Sequence, residues 1–582
     1  SLSMLNNLMR GVDDFPLLIM LSGRYCDSDD SDCLPLSSEL RIPQKHIQLK
    51  EFSLEETSAL AAQVLQGYTA SQLQVSSELS SFLAQKTNGN PLFVEQLALD
   101  LCERDLLHTK KSAWFLAGKA TEELPASISA VMIARLDRLE SPLRGAVQTA
   151  AVLGTEFEPP VLEGMLPDES DLPRRMIDGI EHAIWLPYET RLLFRQSVLR
   201  DAAYDMQPQT RLQELHARAA ASFEALHRVD LEAYFVDLAY HHELAQHLRQ
   251  AFNYSRLAGE RAATQYAIQQ AADNFQRALR LAEQLPGAEI KTEKLAVLLA
   301  LGELLVSAGQ YQSSDTWLDQ ALNLAAECGD ARAQGRACRW LARYSEMHSD
   351  YTQSLAWVQR GLEVLGNLET SETCDLLSHA GLVYSRQGNP VEAQAAAVRA
   401  LAIAERLHDL KALGRANTLL GHVARLRGDY QAAIQHLQCA VEYQKQAGDI
   451  YNLALAQNQL AIILWNMSRW QDASQQFSQA RQTFDQIGDL YHRAFIDNNL
   501  GDLTLNQGRL DEAVSYFQQG LSAAEQSGGS TWVLGGFHSN LGAAHIRRGD
   551  AHTALHHLEI SQGYFDQAQA RDWLPELNRH YA

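Results

Sequence analysis

The side chains able to do chemistry in this sequence fall into a few constellations, and each can be held against the spacing its chemistry requires. A loop that grips phosphate needs Gly-x-x-x-x-Gly-Lys-Ser/Thr, because converging backbone N–H groups and the lysine hold the anion. No such run occurs: Gly118-Lys119 is followed by Ala120 in place of a hydroxyl, and position 113 is Ala. An acidic pair that places Mg²⁺ should end an apolar strand, whereas Asp13-Asp14 precedes the apolar run Phe15–Leu21. His241-His242-Glu243 with His247 invites comparison with a zinc-protease helix. That motif sets its two histidines four apart around a glutamate, and His242 and His247 are five apart. His552 and His556 would share a helical face, readable as adventitious metal binding or as a solvated helix surface. No Gly-x-Ser-x-Gly elbow, catalytic Cys/His arrangement or paired-carboxylate site is found. The chain itself is therefore expected not to be an enzyme, and no metal or cofactor is expected in this chain alone.

The composition narrows the class further. The chain has 582 residues, 46% hydrophobic and 21% charged, enough for three or four domains without stabilising cross-links. Its 49 basic and 71 acidic residues leave a net charge of −22. Such a surface repels nucleic-acid backbones and anionic membranes, so neither is an expected partner, though a local basic patch stays open. The apolar runs Phe15–Leu21 and Leu295–Gly302 are too short to span a bilayer, and Ser1–Arg10 lacks the core of a signal peptide. Seven scattered cysteines form no Cys-x-x-Cys. Reduced thiols in the cytoplasm is the simple reading.

The strongest pattern is periodic. Turn residues recur at Gly309, Ser349, Gly388, Gly428, Ser468, Gly508 and Gly549, at intervals of 39 to 41. Seven residues before each turn, five after it and twelve after it stand three columns of small residues. All twenty-one positions are Gly, Ala or Ser. Antiparallel helices approach within about 8–10 Å only where small side chains let the backbones close in, so each period predicts a helical hairpin. The column offsets, the Leu-Gly pairs such as Leu420-Gly421 and Leu500-Gly501, and the aromatic after Ala473 and Ala513 resemble the tetratricopeptide repeat (TPR). The usual period is about 34; the extra residues here are expected to lengthen the helices and the links between hairpins. His247–Ala262 and Tyr266–Gln284 extend the array upstream, to about eight or nine hairpins, seven of them regular from about residue 290. Such arrays present a concave face to a peptide, protein segment or ligand. Trp340, Trp357, Trp465, Trp470, Trp532 and Trp573 read mostly as hairpin core, with a few left to line the groove.

The first 230 residues differ in kind. Ser1–Gly11 reads as a helix and Pro16–Tyr25 as a buried parallel strand, too little to make a sheet domain alone. Helices follow over Glu55–Tyr68 and over Val75–Leu107, the latter interrupted at Asn88-Gly89-Asn90-Pro91, with Pro91 in a first helical turn. His108–Gly118 predicts a small hairpin, Ile128–Leu139 and Pro142–Gly154 helices, and Ala183–Ser197 strand, turn, strand, a set suggesting a winged helix. Arg211–His227 is an amphipathic helix leading into the repeats.

In this order the pieces resemble the C-terminal part of a STAND-class signal-transduction ATPase, of the kind with an AAA-like module and a TPR sensor, related to the ATPase-like region of soluble adenylyl cyclase. The resembling segments are SLSMLNNL, PLLIMLSGR, KTNGNPLFVEQL, IARLDRL with AAVLGTEF, and FRQSVLRDAAYDMQPQTRLQELHARAA. The resemblance implies a mostly α chain: a C-terminal remnant of a P-loop domain over 1–45, a helical lid over 46–120, a winged helix over 121–230 and a TPR solenoid over 231–582. It implies that Arg24 is a sensor arginine for a terminal phosphate, and that Gly89, Asn90 and Pro91 form a lid loop near adenine. The plainer readings are a surface arginine capping a strand and a helix-start turn. Gln196 stands where the family often has a histidine, which weakens a phosphate contact from the winged helix. ATP or ADP with Mg²⁺ is implied only for a longer parent, the chain being expected to start just after the Walker B motif. The function so implied is the regulatory portion of a nucleotide-switched ATPase. Its TPR groove binds a protein or peptide and controls an effector, with self-oligomerisation on activation as a further implication. The alternative is a TPR interaction scaffold carrying a degenerate NTPase remnant.

Overall fold

The computed structural model describes residues 49–69, 73–110, 113–117, 127–167, 169, 171–307, 314–348, 350–527, 529 and 531–567. The helix and strand expected over residues 1–45, Arg24 among them, and Trp573 lie outside the described residues. The chain is mostly helical and divides into two compact units, Ser1–Leu257 and Ala258–Ala582.

The first unit opens with α1 (Leu54–Thr69), β1 (Gln74–Val75), α2 (Ser77–Thr87), α3 (Pro91–Glu103), β2 (Leu107–Lys110) and β3 (Ala113–Leu116). β2 and β3 form the antiparallel hairpin that His108–Gly118 predicts, and β1 joins β3 in parallel on its other edge. Two residues are too few to show a strand period, so β1 has no signature of its own. Leu65, Leu83, Val94 and Leu101 pack the core between the helices, with Trp114 of β3 against them.

Next come α4 (Ile128–Asp137), α5 (Ser141–Ala151), β4 (Glu156–Phe157), α6 (Pro159–Met165), α7 (Leu172–Glu181), β5 (Trp185–Tyr188), β6 (Arg191–Phe194), α8 (Ser197–Asp205), α9 (Gln209–Leu226), a 3₁₀ turn at Leu231–Tyr234, α10 (Phe235–Leu244) and α11 (Leu248–Thr264). The strand–turn–strand of 183–197 is β5–β6, and β4 adds an antiparallel edge in the order β4-β6-β5. Trp185 is fully buried, edge-on to Phe157 and Phe194 at ring separations of 5.6 and 6.1 Å. Gly179 of α7 lies so close to this indole that any side chain there would strike it. Between α9 and α10 the rings of His216 and His241 meet at 2.9 Å (Nδ1 to Nδ1), both buried. Burial is the main cause that pushes His216 down to about 4 and His241 to about 3, so the pair is neutral near pH 7.

In the second unit, α12 (Ile268–Ala282) precedes seven hairpins: α13 (Ala288–Ser307) with α14 (Ser314–Cys328), α15 (Ala331–Met347) with α16 (Tyr351–Leu365), α17 (Ser371–Arg386) with α18 (Pro390–Leu407), α19 (Leu410–Leu426) with α20 (Tyr430–Gln446), α21 (Ile450–Asn466) with α22 (Trp470–Ile487), α23 (Leu490–Asn506) with α24 (Leu510–Gln526), and α25 (Thr531–Arg548) with α26 (Ala551–Gln567). All twenty-one small column positions are buried. The reason is a knob-and-socket contact repeated through the array. A Cβ added at Gly302, Gly421 or Gly542 would fall 2.5 to 2.6 Å from Leu318, Leu437 or Leu558, the residue nine after the turn. At Gly501 the knob is the ring of Phe517. In the third hairpin that position is Ala397, too short to reach, and Leu419 of the next hairpin fills the space over Gly381 instead. The same register extends upstream, where Gly259 receives Phe275 and Ala271 and Ala278 are buried about the turn at Tyr266.

The turns explain the period. Gly388, Gly428, Ser468, Gly508 and Gly549 all take the left-handed conformation, with φ from 60° to 84°. Between hairpins Gly329, His408, Gly448 and Gly488 do the same, and each is followed by an aspartate. The carboxylates of Asp330, Asp409, Asp449 and Asp489 accept from the backbone N–H three residues on, at 2.9 to 3.2 Å, and so cap the next helix. In the α19–α20 hairpin two 17-residue helices plus two three-residue turns make the 40-residue repeat. The extra length over a 34-residue repeat thus goes into the helices, and the expected longer link is not there.

The tryptophans also differ from expectation. Trp340, Trp357 and Trp465 are half-buried and Trp470 and Trp532 exposed, so none of the five is enclosed core. The enclosed aromatics are Phe275, Phe477, Phe484 and Phe517. In the hairpins the sockets over the small columns receive leucines and phenyl rings, such as Leu437 at Gly421 and Phe517 at Gly501.

Candidate functional site

The turn at Asn88–Pro91 is built by two left-handed residues, Asn88 (φ 48°) and Gly89 (φ 67°), and by Asn90, whose side chain accepts from Phe93 N–H at 3.2 Å to start α3 behind Pro91. Gly89 C=O accepts from Phe52 N–H at 2.8 Å, and a Cβ there would stand 2.5 Å from the Phe52 carbonyl. The structure therefore brings Gly89, Asn90 and Pro91 together in one turn and engages the Gly89 carbonyl and the Asn90 side-chain oxygen within the protein, while the Gly89 N–H and the Asn90 Nδ2 take no acceptor among the described residues.

The open face of the repeats is a different matter. First helices of neighbouring hairpins touch one another, α13 to α15, α15 to α17 and onward to α25, while second helices stand farther apart. The array thus bends with its first helices inward. On α15, α17, α19, α21 and α23 the positions thirteen, ten and six before the turn lie between the buried columns and are not enclosed; Arg415, Thr418 and His422 on α19 are half-buried. On α15 these places hold Arg336, Arg339 and Arg343, and on α17 Asp375, Ser378 and Leu382.

This inner face has a cationic part. Arg336 forks onto Glu303, with Nη2 to Oε2 at 2.6 Å. Arg343 and Arg386 converge on the fully buried Glu346 at 2.7 and 2.8 Å, and Arg415 meets Asp375 at 2.5 Å. Arg339 stands in the middle with its guanidinium 4.3 Å from the Trp340 ring centre, and it makes no hydrogen bond or ion pair with any described residue. Burial holds Arg339 below the usual arginine value; Asp375 and Glu303 act to raise it, Arg415 and Arg343 to lower it. Burial likewise pushes His379 down to about 4, with Arg339 and Arg343 adding to the effect and Glu346 opposing it. Burial raises the Tyr491 phenol on α23, with Arg343 and Arg386 acting to lower it.

Farther along, the face changes character. α21 carries no charged residue and presents Leu455, Asn458, Ile462 and Trp465, all half-buried. Asn499 Nδ2 donates to Asn458 Oδ1 at 3.0 Å and Asn540 Nδ2 to Asn498 Oδ1 at 2.8 Å, linking the first helices of successive repeats. Asn499 Oδ1 and Asn540 Oδ1 accept nothing from the described residues.

Sequence reasoning had no means of choosing these residues. Net charge concealed the basic run, whose signal is arginine recurring on one helical face of α15 while α19 adds Lys411, Arg415 and Arg425 without an acid. His552 and His556 are both exposed, and among the described residues no group of three metal-ligating side chains assembles. No helix of the described residues is long and apolar enough to cross a membrane.

Comparison with known proteins places TPRs in this chain: a tetratricopeptide-repeat family model matches residues 372–446 and 452–526. An uncharacterized protein of Rhizobium meliloti (strain 1021) is 24% identical over 316 residues, 53% of this chain; the chain spans only 29% of the length of that relative. Among solved structures, a signal-transduction ATPase with numerous domains (STAND) that carries a TPR sensor, from Pyrococcus horikoshii, is 13% identical with a TM-score of 0.47, over 92% of this chain and 75% of that one. A Rap protein complexed with competence and sporulation factor is 14% identical at a TM-score of 0.42, over 57% and 91%. Aspartyl phosphate phosphatase F of Bacillus subtilis is 13% identical at 0.41, over 71% and 98%.

Proposed function

We propose that this chain is the receiving part of a nucleotide-switched signalling protein. Its TPR array takes up a peptide or protein segment along the inner face, and residues 46–230 serve as the lid and winged helix of a STAND-class ATPase that passes the signal to an effector. One observation carries the receiving role: packing consumes the three small columns, while inward positions on α15, α19, α21 and α23 hold arginine, amide and aromatic groups that lie outside those columns. The amides of Asn458, Asn499 and Asn540 offer both donor and acceptor, the two functions of a peptide group, beside the apolar surface of Leu455, Ile462 and Trp465.

The ATPase context rests on the order of the motifs KTNGNPLFVEQL, IARLDRL, AAVLGTEF and FRQSVLRDAAYDM. The β4-β6-β5 sheet beside α4–α8 suits the winged-helix reading. That context requires a phosphate-binding module encoded outside these 582 residues, where ATP or ADP with Mg²⁺ would be held; no step is drawn through Gly89, Asn90 or Pro91. The lack of a phosphate loop in this sequence favours a second reading, a TPR scaffold whose first 230 residues are a relic.

Two measurements test these readings. Selection from a random displayed-peptide library should yield binders that compete with one another for one face, and binders mapping only to second helices would refute the receiving role. Calorimetry should give no ATP or ADP heat with this chain and tight binding with a chain extended to include a phosphate loop. Tight binding by this chain alone would refute the switch as drawn.

A further inference from the structure

The charge on the inner face is distributed against the charge of the whole chain. The protein carries −22 overall, yet α15 holds Arg332, Arg336, Arg339 and Arg343 against a single acid, Glu346. Two hairpins on, α19 holds three basic residues and no acid. The second helices α16, α18 and α20 carry equal numbers of acids and bases, so the excess is confined to the inward helices. Most of these arginines already have a carboxylate: Arg336 has Glu303, Arg343 and Arg386 share Glu346, and Arg415 has Asp375. Arg339 has none, like Arg332 and Arg425, but it alone of the three lies between paired arginines and over an indole ring. Its planar guanidinium lies over Trp340, half enclosed, with Arg343 and Arg415 near enough to act on it and no carboxylate bonded to it.

A guanidinium in such surroundings is costly to leave unmet, and the group that meets it best is a second oxyanion taken by its forked donors. We propose that Arg339, with Arg343 and Arg415 beside it, forms a subsite for a side-chain carboxylate of the bound segment, so that the array selects an acidic peptide. Glu303, Glu346 and Asp375 neutralise the surrounding arginines and so set the site's capacity at one or two negative charges rather than a polyanion. The Trp340 ring fixes the plane of the fork, and the uncharged stretch on α21, with the amides Asn498 and Asn499 of α23, receives the rest of the peptide. This inference deepens the receiving role proposed above and depends on it.

The test uses the full chain and two labelled twelve-residue probes, one alternating Glu with Leu and the other its Gln counterpart, followed by fluorescence anisotropy at low salt. The Glu probe should bind about tenfold or more tightly than the Gln probe, and R339M should reduce it to the level of the Gln probe. R399Q, an exposed arginine on α18, should change nothing. Rising salt should weaken the Glu probe alone. Because Arg339 makes no ion pair and methionine keeps an apolar contact with Trp340, R339M should stay close to the wild-type melting temperature, which separates loss of the subsite from loss of the fold. Equal affinity for the two probes, an R339M protein that still prefers Glu, or no binding of the Glu probe overturns the inference. Library-selected peptides that still occupy the inner face without an acidic preference would leave the receiving role standing while removing the subsite.

Discussion

The two stretches of the inner face share one backbone and one set of packing columns, yet α15 and α19 present guanidinium groups while α21 presents an amide between aliphatic side chains. The columns are fixed by the approach of helices, and Gly421 and Gly501 fill the same role in both stretches. Chemistry differs only where packing makes no demand. Specificity in an array of this kind is thus written at a few helical positions, and the repeats that carry the fold carry little of it.

The sharpest way to break the comparison is to destroy what the stretches share. Gly501→Val would drive a branched side chain into the rigid Phe517 ring, where no flexible chain can yield, and should cost about 3 kcal/mol in urea unfolding of the array. A loss below about 1 kcal/mol would mean that the sockets are loose and the column argument fails.

The next effect separates the stretches. His379 on α17 is buried beside arginines, and its folded value of about 4 lies below the ordinary 6.5. The unfolded chain therefore binds the proton more readily between these values. Stability is full above about 6.5 and falls as the pH drops toward 4, by on the order of 2 kcal/mol near pH 5 from this residue. Denaturation midpoints compared between about pH 7 and about pH 5 should fall less in His379→Leu than in the wild type, and equal falls would contradict the assignment.

The smallest effect sharpens the amide stretch. Asn499→Ala removes the donor to Asn458 and an acceptor facing the groove, so a library-selected peptide should lose about 1 kcal/mol of affinity. The melting temperature should stay nearly constant. A large loss of stability with unchanged affinity would make the amide link a strut and not a contact.

How much of this could be read beforehand follows from the physics of each part. The hairpins were legible because close helix packing imposes small residues at fixed intervals, and the register even continues to Gly259 and Phe275. The Gly-Asp pairs at Gly448-Asp449 and Gly488-Asp489, which close one hairpin and cap the next helix, form a fourth column that the turn-based alignment passes over. In the first unit no period exists. The β5–β6 hairpin showed itself through continuous apolar runs, but β1 and β4 have two residues each and are defined only by their partners. The tryptophans misled because hydrophobicity alone does not say which side chain fills a socket. Arg339 was invisible because its isolation from carboxylates is a property of three-dimensional neighbours.

The central claim is that the inward face of the first helices is the working surface of this chain. Hydrogen–deuterium exchange with and without a library-selected peptide tests it most directly. Ligand should slow exchange in α15, α17, α19, α21 and α23 and leave α16, α18, α20 and α22 unchanged; protection confined to the second helices, or to the first unit, would contradict it.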